Sequence, residues 1–155
     1  VRYQDLSLWW DAIAQPLPVR APLRSDTQVD VCIVGAGFTG LWTAYALTRA
    51  DPTLRVAIVE KEVAGFGASG RNGGWCSALF ATSDAALARA YGVPAMRAMR
   101  RAMQDTVDVV GASAAAEGID CHFAKGGTIV VARSPAQRAR AAAEVNEARS
   151  LGFGE

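Results

Sequence analysis

One histidine, two lysines and three scattered cysteines are all that this 155-residue chain holds of those types, and each scarcity closes off a class of function. Cys32, Cys76 and Cys121 form no C-x-x-C and have no histidine at ligand spacing, so neither a zinc site nor a disulfide framework is indicated, and a reducing, cytoplasmic setting is expected. Sixteen basic against 15 acidic residues leave a net charge of +1, with no global field to attract nucleic acid or an anionic membrane. No stretch approaches the roughly 20 apolar residues of a membrane span, and the N-terminus lacks the order of a signal peptide. The lone His122 is a poor general base, since it stands beside Phe123 on an expected strand with no recognisable acidic partner. Hydrophobic content of 51% is enough for a core, so disorder of the whole is excluded.

Glycine, by contrast, is plentiful and unevenly placed. Val29-Asp-Val-Cys-Ile-Val-Gly-Ala-Gly-Phe-Thr-Gly40 reads as a strand covered on both faces, running into a glycine turn and then a helix. A bare G-x-G-x-x-G is weak, but its flanks agree with it here. Gly35 permits the tight turn, Gly37 lets backbone approach a pyrophosphate, and Gly40 lets the helix pack close to the strand. Leu41, Ala44, Tyr45, Leu47 and Thr48 recur at helical spacing until Asp51-Pro52, and residues 55–60 form the next apolar run. Residues 29–60 are therefore a β-α-β unit of about 30 residues. Glu60 ends its second strand, where an acid can accept hydrogen bonds from ribose hydroxyls and would repel a 2′-phosphate, which disfavours NADP.

The following segment, Val63-Ala-Gly-Phe-Gly-Ala-Ser-Gly-Arg-Asn-Gly-Gly-Trp75, holds five of the 15 glycines. It is too glycine-dense for a stable helix and too long for a mere turn, as expected of backbone laid against a large ligand. Ser69, Arg71 and Asn72 add a hydroxyl, a guanidinium and an amide suited to a pyrophosphate and the polar edge of a ring system. Upstream, Ser7 is placed to cap a short amphipathic helix over 7–14. Trp9 and Trp10 would staple it to the body, and Pro16, Pro18 and Pro22 make 15–24 an extended spacer.

Downstream the pattern turns helical. Ser83-Asp84 caps a helix over 85–91, Gly92 closes it, and Pro94 begins a longer one in which Met96, Met99, Met103, Val107 and Val110 form one buried stripe. Arg97, Arg100 and Arg101 fall off that stripe and read as a solvated face. Residues 119–123 and 128–132 read as a hairpin around Lys125-Gly126-Gly127, and Ser134-Pro135 starts a last helix to about Leu151. The organisation expected is an N-terminal segment (1–28), a nucleotide-binding part (29–80), a helical segment (81–118) and the beginning of a substrate domain (119–155).

Several of these stretches together resemble the FAD-dependent amine and amino-acid oxidoreductases of the D-amino acid oxidase type, in particular the γ-glutamylputrescine oxidoreductase-like branch. They are Leu8-Trp9-Trp10 with the proline-rich lead into residues 30–41, Val59-Glu60-Lys61, Gly67-Ala-Ser-Gly-Arg-Asn-Gly-Gly74, and Gly126-Gly-Thr-Ile-Val-Val-Ala-Arg-Ser-Pro-Ala-Gln137. The resemblance implies an α/β, Rossmann-like FAD-binding fold leading into a mixed-sheet substrate domain. It also implies a flavoenzyme that takes a hydride from the carbon beside the nitrogen of a small amine or amino acid. By similarity, Gly35, Gly37, Phe38, Thr39 and Gly40 would cradle the pyrophosphate. Glu60 would hold the adenosine ribose with Lys61 nearby, and Ser69, Arg71, Asn72, Gly73 and Gly74 would line the flavin side.

No histidine stands in the second glycine region and Cys76 falls past it, so FAD is expected to be noncovalent. Members of the family are usually more than twice this long, and the chain is expected to be an N-terminal part, inactive alone, with the residues that choose the substrate elsewhere. Two other readings remain open at this stage. A nucleotide domain of an NAD-dependent dehydrogenase accounts for 29–60 but leaves 65–74 unexplained, and a noncatalytic, degenerate nucleotide-binding module accounts for the fold without chemistry.

Overall fold

In the computed structural model, residues 2–15, 17 and 20–153 are described. Pro16 and Pro18 of the expected spacer lie outside them, while the stretch around Pro22 is neither helix nor strand. The elements in order are a 3-10 turn (Tyr3–Leu6), α1 (Leu8–Asp11), β1 (Val31–Val34), α2 (Phe38–Ala50), β2 (Val56–Val59), a second 3-10 turn (Ala68–Gly70), α3 (Asp84–Tyr91), α4 (Val93–Ala116) and α5 (Pro135–Ser150). The chain divides into two units, Val1–Trp75 and Cys76–Glu155.

The first unit is the β-α-β arrangement. β1 and β2 pair in parallel, Val31 opposite Val56 through Val34 opposite Val59, which is possible only because α2 carries the chain back to the starting end of the sheet. α2 packs on both strands and stops at Asp51, whose N–H still reaches Leu47 O. Asp30 and Arg55 lock the register one residue before the strands begin: the Asp30 carboxylate accepts from the Arg55 backbone N–H at 2.8 Å and from its guanidinium at 2.9 and 3.1 Å. The expected covering of β1 on both faces is not found. Ile33 lies under α2, but Cys32 and Val34 are exposed, Val34 by 86%, because one helix covers one face of a two-stranded sheet and no described element covers the other.

The second unit is helical. The Ser83 hydroxyl accepts from the Ala86 N–H to start α3, and Gly92 ends it at φ +86°, a left-handed value that glycine takes without strain. Pro94 sits in the first turn of α4, and the Ser134 hydroxyl caps α5 by accepting from the Gln137 N–H, as the sequence patterns require. α3 packs on α4, with Leu87 and Met96 buried; of the expected stripe on α4 Met96 alone is buried, while Met103, Val107 and Val110 are half-buried and Met99 is exposed.

Two expectations are corrected here. The arginines of α4 are not simply a solvated face: Arg100 pairs with Asp84 at 2.9 Å and lies 4.2 Å over the Phe153 ring, and Arg97 has a buried Nε. Nor does the hairpin form, since 119–133 holds no strand. Phe123 instead packs on α4 at Gly111, and Lys125 pairs with Asp108 on the same helix. That draws the first arm away from the second and leaves Ile129, Val130 and Val131 at least 75% exposed. An isolated two-stranded hairpin has little stability of its own, so helix packing prevails.

Two measurements test this account. Arg55 hydrogen bonds hold the Asp30 carboxyl down at about 2, against an ordinary 3.8. A depressed folded-state value means stability present above the ordinary value and lost as the pH falls through the lowered one. Asp30→Asn should lower the melting temperature at pH 7, and its difference from wild type should close on acidification between about pH 4 and 2. Separately, a Cβ at position 40 would stand 2.1 Å from Gly35 O, so Gly40→Ala should cost about 3 kcal/mol in urea unfolding. Gly126→Ala, where a Cβ meets nothing within 4 Å, should stay within about 0.5 kcal/mol.

Candidate functional site

The turn between β1 and α2 is set by backbone geometry. Gly35 donates to Val59 O at 2.8 Å and turns at φ +98°, which directs the chain out of the sheet plane and into the helix. Gly37 precedes the first helical residue, Phe38, and Gly40 brings α2 onto the strand so closely that a Cβ would also lie 3.2 Å from the Ile33 side chain. The first N–H groups of a helix lack intrahelical partners and carry partial positive charge, and the first turn of α2 contains no acidic residue to neutralise it. Thr39 and Gly40 lie within that turn. Such a helix start is electrostatically suited to an anion.

Glu60 follows β2 directly. One carboxylate oxygen accepts from the Ala36 N–H at 2.8 Å and the other from the Glu62 N–H at 3.0 Å. These backbone donors, Ala36 first, hold the Glu60 carboxyl below its ordinary value, so it is charged at neutral pH. The side chain thus reaches back across the strand ends to the glycine turn while remaining exposed to solvent. Lys61, next along, is exposed.

The second glycine run lies against the first. The Gly65 N–H donates to Ala36 O at 2.8 Å, and the Ser69 hydroxyl oxygen accepts from the Phe38 N–H at 2.9 Å. Ser69 therefore stands at the N-terminus of α2, 3.0 Å from where a Cβ of Gly37 would be, and keeps its own O–H to donate. Arg71 turns inward: its Nε–H donates to Phe66 O at 3.0 Å and its guanidinium lies 4.9 Å over the Phe66 ring. Asn72 ties the loop to itself, donating to Ser69 O at 2.6 Å and accepting from the Gly74 N–H at 2.7 Å. A Cβ at Gly35, Gly67 or Gly73 would meet nothing within 4 Å, so open space borders both runs.

Of the expected site residues, Gly35, Gly37, Phe38, Thr39, Gly40, Glu60 and Ser69 gather at one turn. Arg71 and Asn72 serve the loop's own backbone, and Gly74, at φ +72°, lies against the Trp9 ring. Sequence reasoning passed over Ala36, whose N–H and C=O both serve as junctions, because an alanine's backbone leaves no mark in composition. His122, in the other unit, is exposed at φ +52° with Nδ1 3.5 Å from Asp120. A cavity of about 330 Å³ in that unit, lined by Phe80, Asp84, Arg100, Met103, Glu144 and Glu147 among others, contains none of the expected residues. Among the described residues no group of three or more His, Cys, Asp or Glu could hold a metal ion, and no helix is long and apolar enough to cross a membrane.

An open glycine turn meets a helix start without acids, a charged carboxylate lies at the end of the second strand, and a second glycine run is joined to the first. Among curated proteins, the chain is 32% identical over 108 residues to the γ-glutamylputrescine oxidoreductase of Escherichia coli (strain K12), covering 70% of this chain and 25% of that protein. It is 31% identical over 105 residues to the probable oxidoreductase OrdL of Haemophilus influenzae, covering 68% of this chain and 24% of that one. A thiamine thiazole synthase of Aspergillus oryzae is 46% identical over 57 residues, covering 37% of this chain and 17% of the synthase. The chain thus spans about a quarter of the length of the first two relatives. No solved structure matches it significantly. Residues 30–155 match the family described as FAD dependent oxidoreductase (DAO), and the chain belongs to that family.

Proposed function

We propose that this chain is the FAD-binding part of an oxidoreductase that oxidises the C–N bond of a small amine or amino acid, with FAD held noncovalently in a Rossmann-like fold. The observation that carries the reading is the pair of bonds joining the two glycine runs, Gly65 N–H to Ala36 O and Phe38 N–H to Ser69 Oγ. A single glycine turn serves NAD and FAD alike, whereas a second run fastened beside it extends the binding surface past the pyrophosphate. The amine in the name of the E. coli relative supports the substrate class.

In this reading Gly35, Gly37, Phe38, Thr39 and Gly40 form the turn that receives the pyrophosphate at the positive end of α2. Glu60 accepts from the adenosine ribose hydroxyls through its outward lone pairs, and Lys61 lies beside it. Ser69, Arg71, Asn72, Gly73 and Gly74 line the flavin side. When bound, the flavin accepts the hydride; the chain's own residues bind and orient. Residues 29–80 make the cofactor part, 81–118 the helical segment and 119–155 the beginning of a substrate domain whose sheet lies elsewhere in a longer, cytoplasmic protein. The isolated chain then binds FAD weakly and does not turn over amines.

Titration of the purified chain with FAD, followed by flavin absorbance and calorimetry, should show weak, saturable binding competed by ADP. Absence of any binding would overturn the reading. Glu60→Gln removes a charge-assisted contact of roughly 1.5–3 kcal/mol and should weaken both ligands by about ten- to a hundredfold. Since backbone donors depress the Glu60 carboxyl, wild-type affinity should hold through mildly acidic pH and fall only as the pH drops below the ordinary glutamate range near 4.5.

A further inference from the structure

Residues 3–10 have no part in the family's nucleotide motifs, yet they make a dense set of specific contacts, and their side-chain contacts to Glu62, Phe66, Gly70, Asn72 and Gly74 fall on the second glycine run and its approach. The Ser7 hydroxyl donates to Gly70 O at 2.6 Å, and the Trp9 Nε1–H donates to Asn72 O at 2.6 Å. The Trp9 ring lies where a Cβ of Gly74 would be, 2.7 Å from it. Trp10 is 6% exposed, with its Nε1 3.0 Å from the Cβ position of Gly70 and its ring 3.9 Å from that of Gly65. Tyr3 stacks on Trp10 at 5.9 Å and edge-on to Phe66 at 6.2 Å, and its hydroxyl donates to Glu62 at 3.3 Å.

The Trp pair therefore bears on two of the run's glycines. At Gly74 the Trp9 indole occupies the space of a side chain; at Gly70 the Gly65 carbonyl oxygen occupies it, with Trp10 Nε1 beside it at 3.0 Å, whereas Gly67 and Gly73 face open space. A run of this composition has too much conformational freedom to hold one shape by its own bonds. Its backbone carbonyls at Gly70 and Asn72 are fixed from outside, by Ser7 and Trp9.

We infer that residues 3–10 form a clasp that presets the flavin-side glycine run, with Ser7 and Trp9 as positioning residues that act through Gly70 and Asn72 rather than on the cofactor. The inference rests on the FAD reading above. It makes the two halves of the cofactor separable. The turn at Gly35–Gly40 and Glu60 receive the adenine half and have no bond to the clasp, so loosening the clasp lowers affinity for FAD and spares ADP.

Trp9→Phe keeps a ring and loses the Nε1–H bond, and Ser7→Ala loses the hydroxyl bond; each is mild enough to leave the unit folded. Hydrogen exchange by mass spectrometry on the 155-residue chain without ligand should show faster exchange across residues 65–74 in the double variant, with residues 31–59 unchanged. Calorimetric titration should then show FAD weakened by about tenfold and ADP within twofold. Unchanged exchange across 65–74 would overturn the clasp, as would equal weakening of FAD and ADP, which would mark a general loss of structure. Should the wild-type chain bind ADP and not FAD, the FAD reading falls and the inference with it, whereas unchanged exchange with intact FAD binding sinks the clasp alone.

Discussion

At Gly40 the helix α2 lies so close to the end of β1 that the space for a single methyl group is already taken by the carbonyl of Gly35. That approach is the constraint on which the rest of the first unit depends. It forces the tight turn at Gly35, and the turn in turn presents the backbone of Ala36 outward, N–H to the Glu60 carboxylate and C=O to Gly65. A longer, looser connection would leave those groups to water and the second glycine run unattached. The anion-receptive end of α2, the carboxylate after β2 and the second run are held together by the backbone of one alanine.

The glycines of this unit have two different reasons to be there. Those of the first turn serve chain reversal and helix-to-strand contact. In the second run, Gly74 makes room for the Trp9 indole, Gly70 makes room for the Gly65 carbonyl with Trp10 beside it, and Gly67 and Gly73 remain next to open space. Counting glycines identifies a loop that approaches something closely, but the same composition serves a ligand and an aromatic staple. Arg71 and Asn72 carry the same ambiguity, since their side chains bond Phe66 O, Ser69 O and Gly74 N–H and so shape the loop before they meet any cofactor.

The two units differ in how far the chain satisfies itself. In the helical unit, capping by Ser83 and Ser134 and the buried Met96 make local structure that needs little from outside. The sheet face at Cys32 and Val34 and the extended apolar run at 129–131 are left uncovered by the described residues.

Local order was legible in the sequence. The strand, turn and helix of 31–50, the caps at Ser7, Ser83 and Ser134, the stop at Gly92 and the position of Glu60 follow from side-chain size, hydrogen-bonding capacity and backbone freedom, which each residue carries with it. The family followed from the same stretches. Tertiary structure alone decided what depends on a distant partner. Residues 119–123 and 128–132 have strand-like composition but no strand, and Phe123 and Lys125 are instead engaged with α4. Arg100, polar by composition, is held by Asp84 and Phe153. The clasp is of the same kind: nothing near Ser7 or Trp9 in the chain names Gly70 or Asn72, some 63 residues on, as partners. Propensity is a property of neighbours in sequence, whereas these bonds exist only once folding has brought the two segments together.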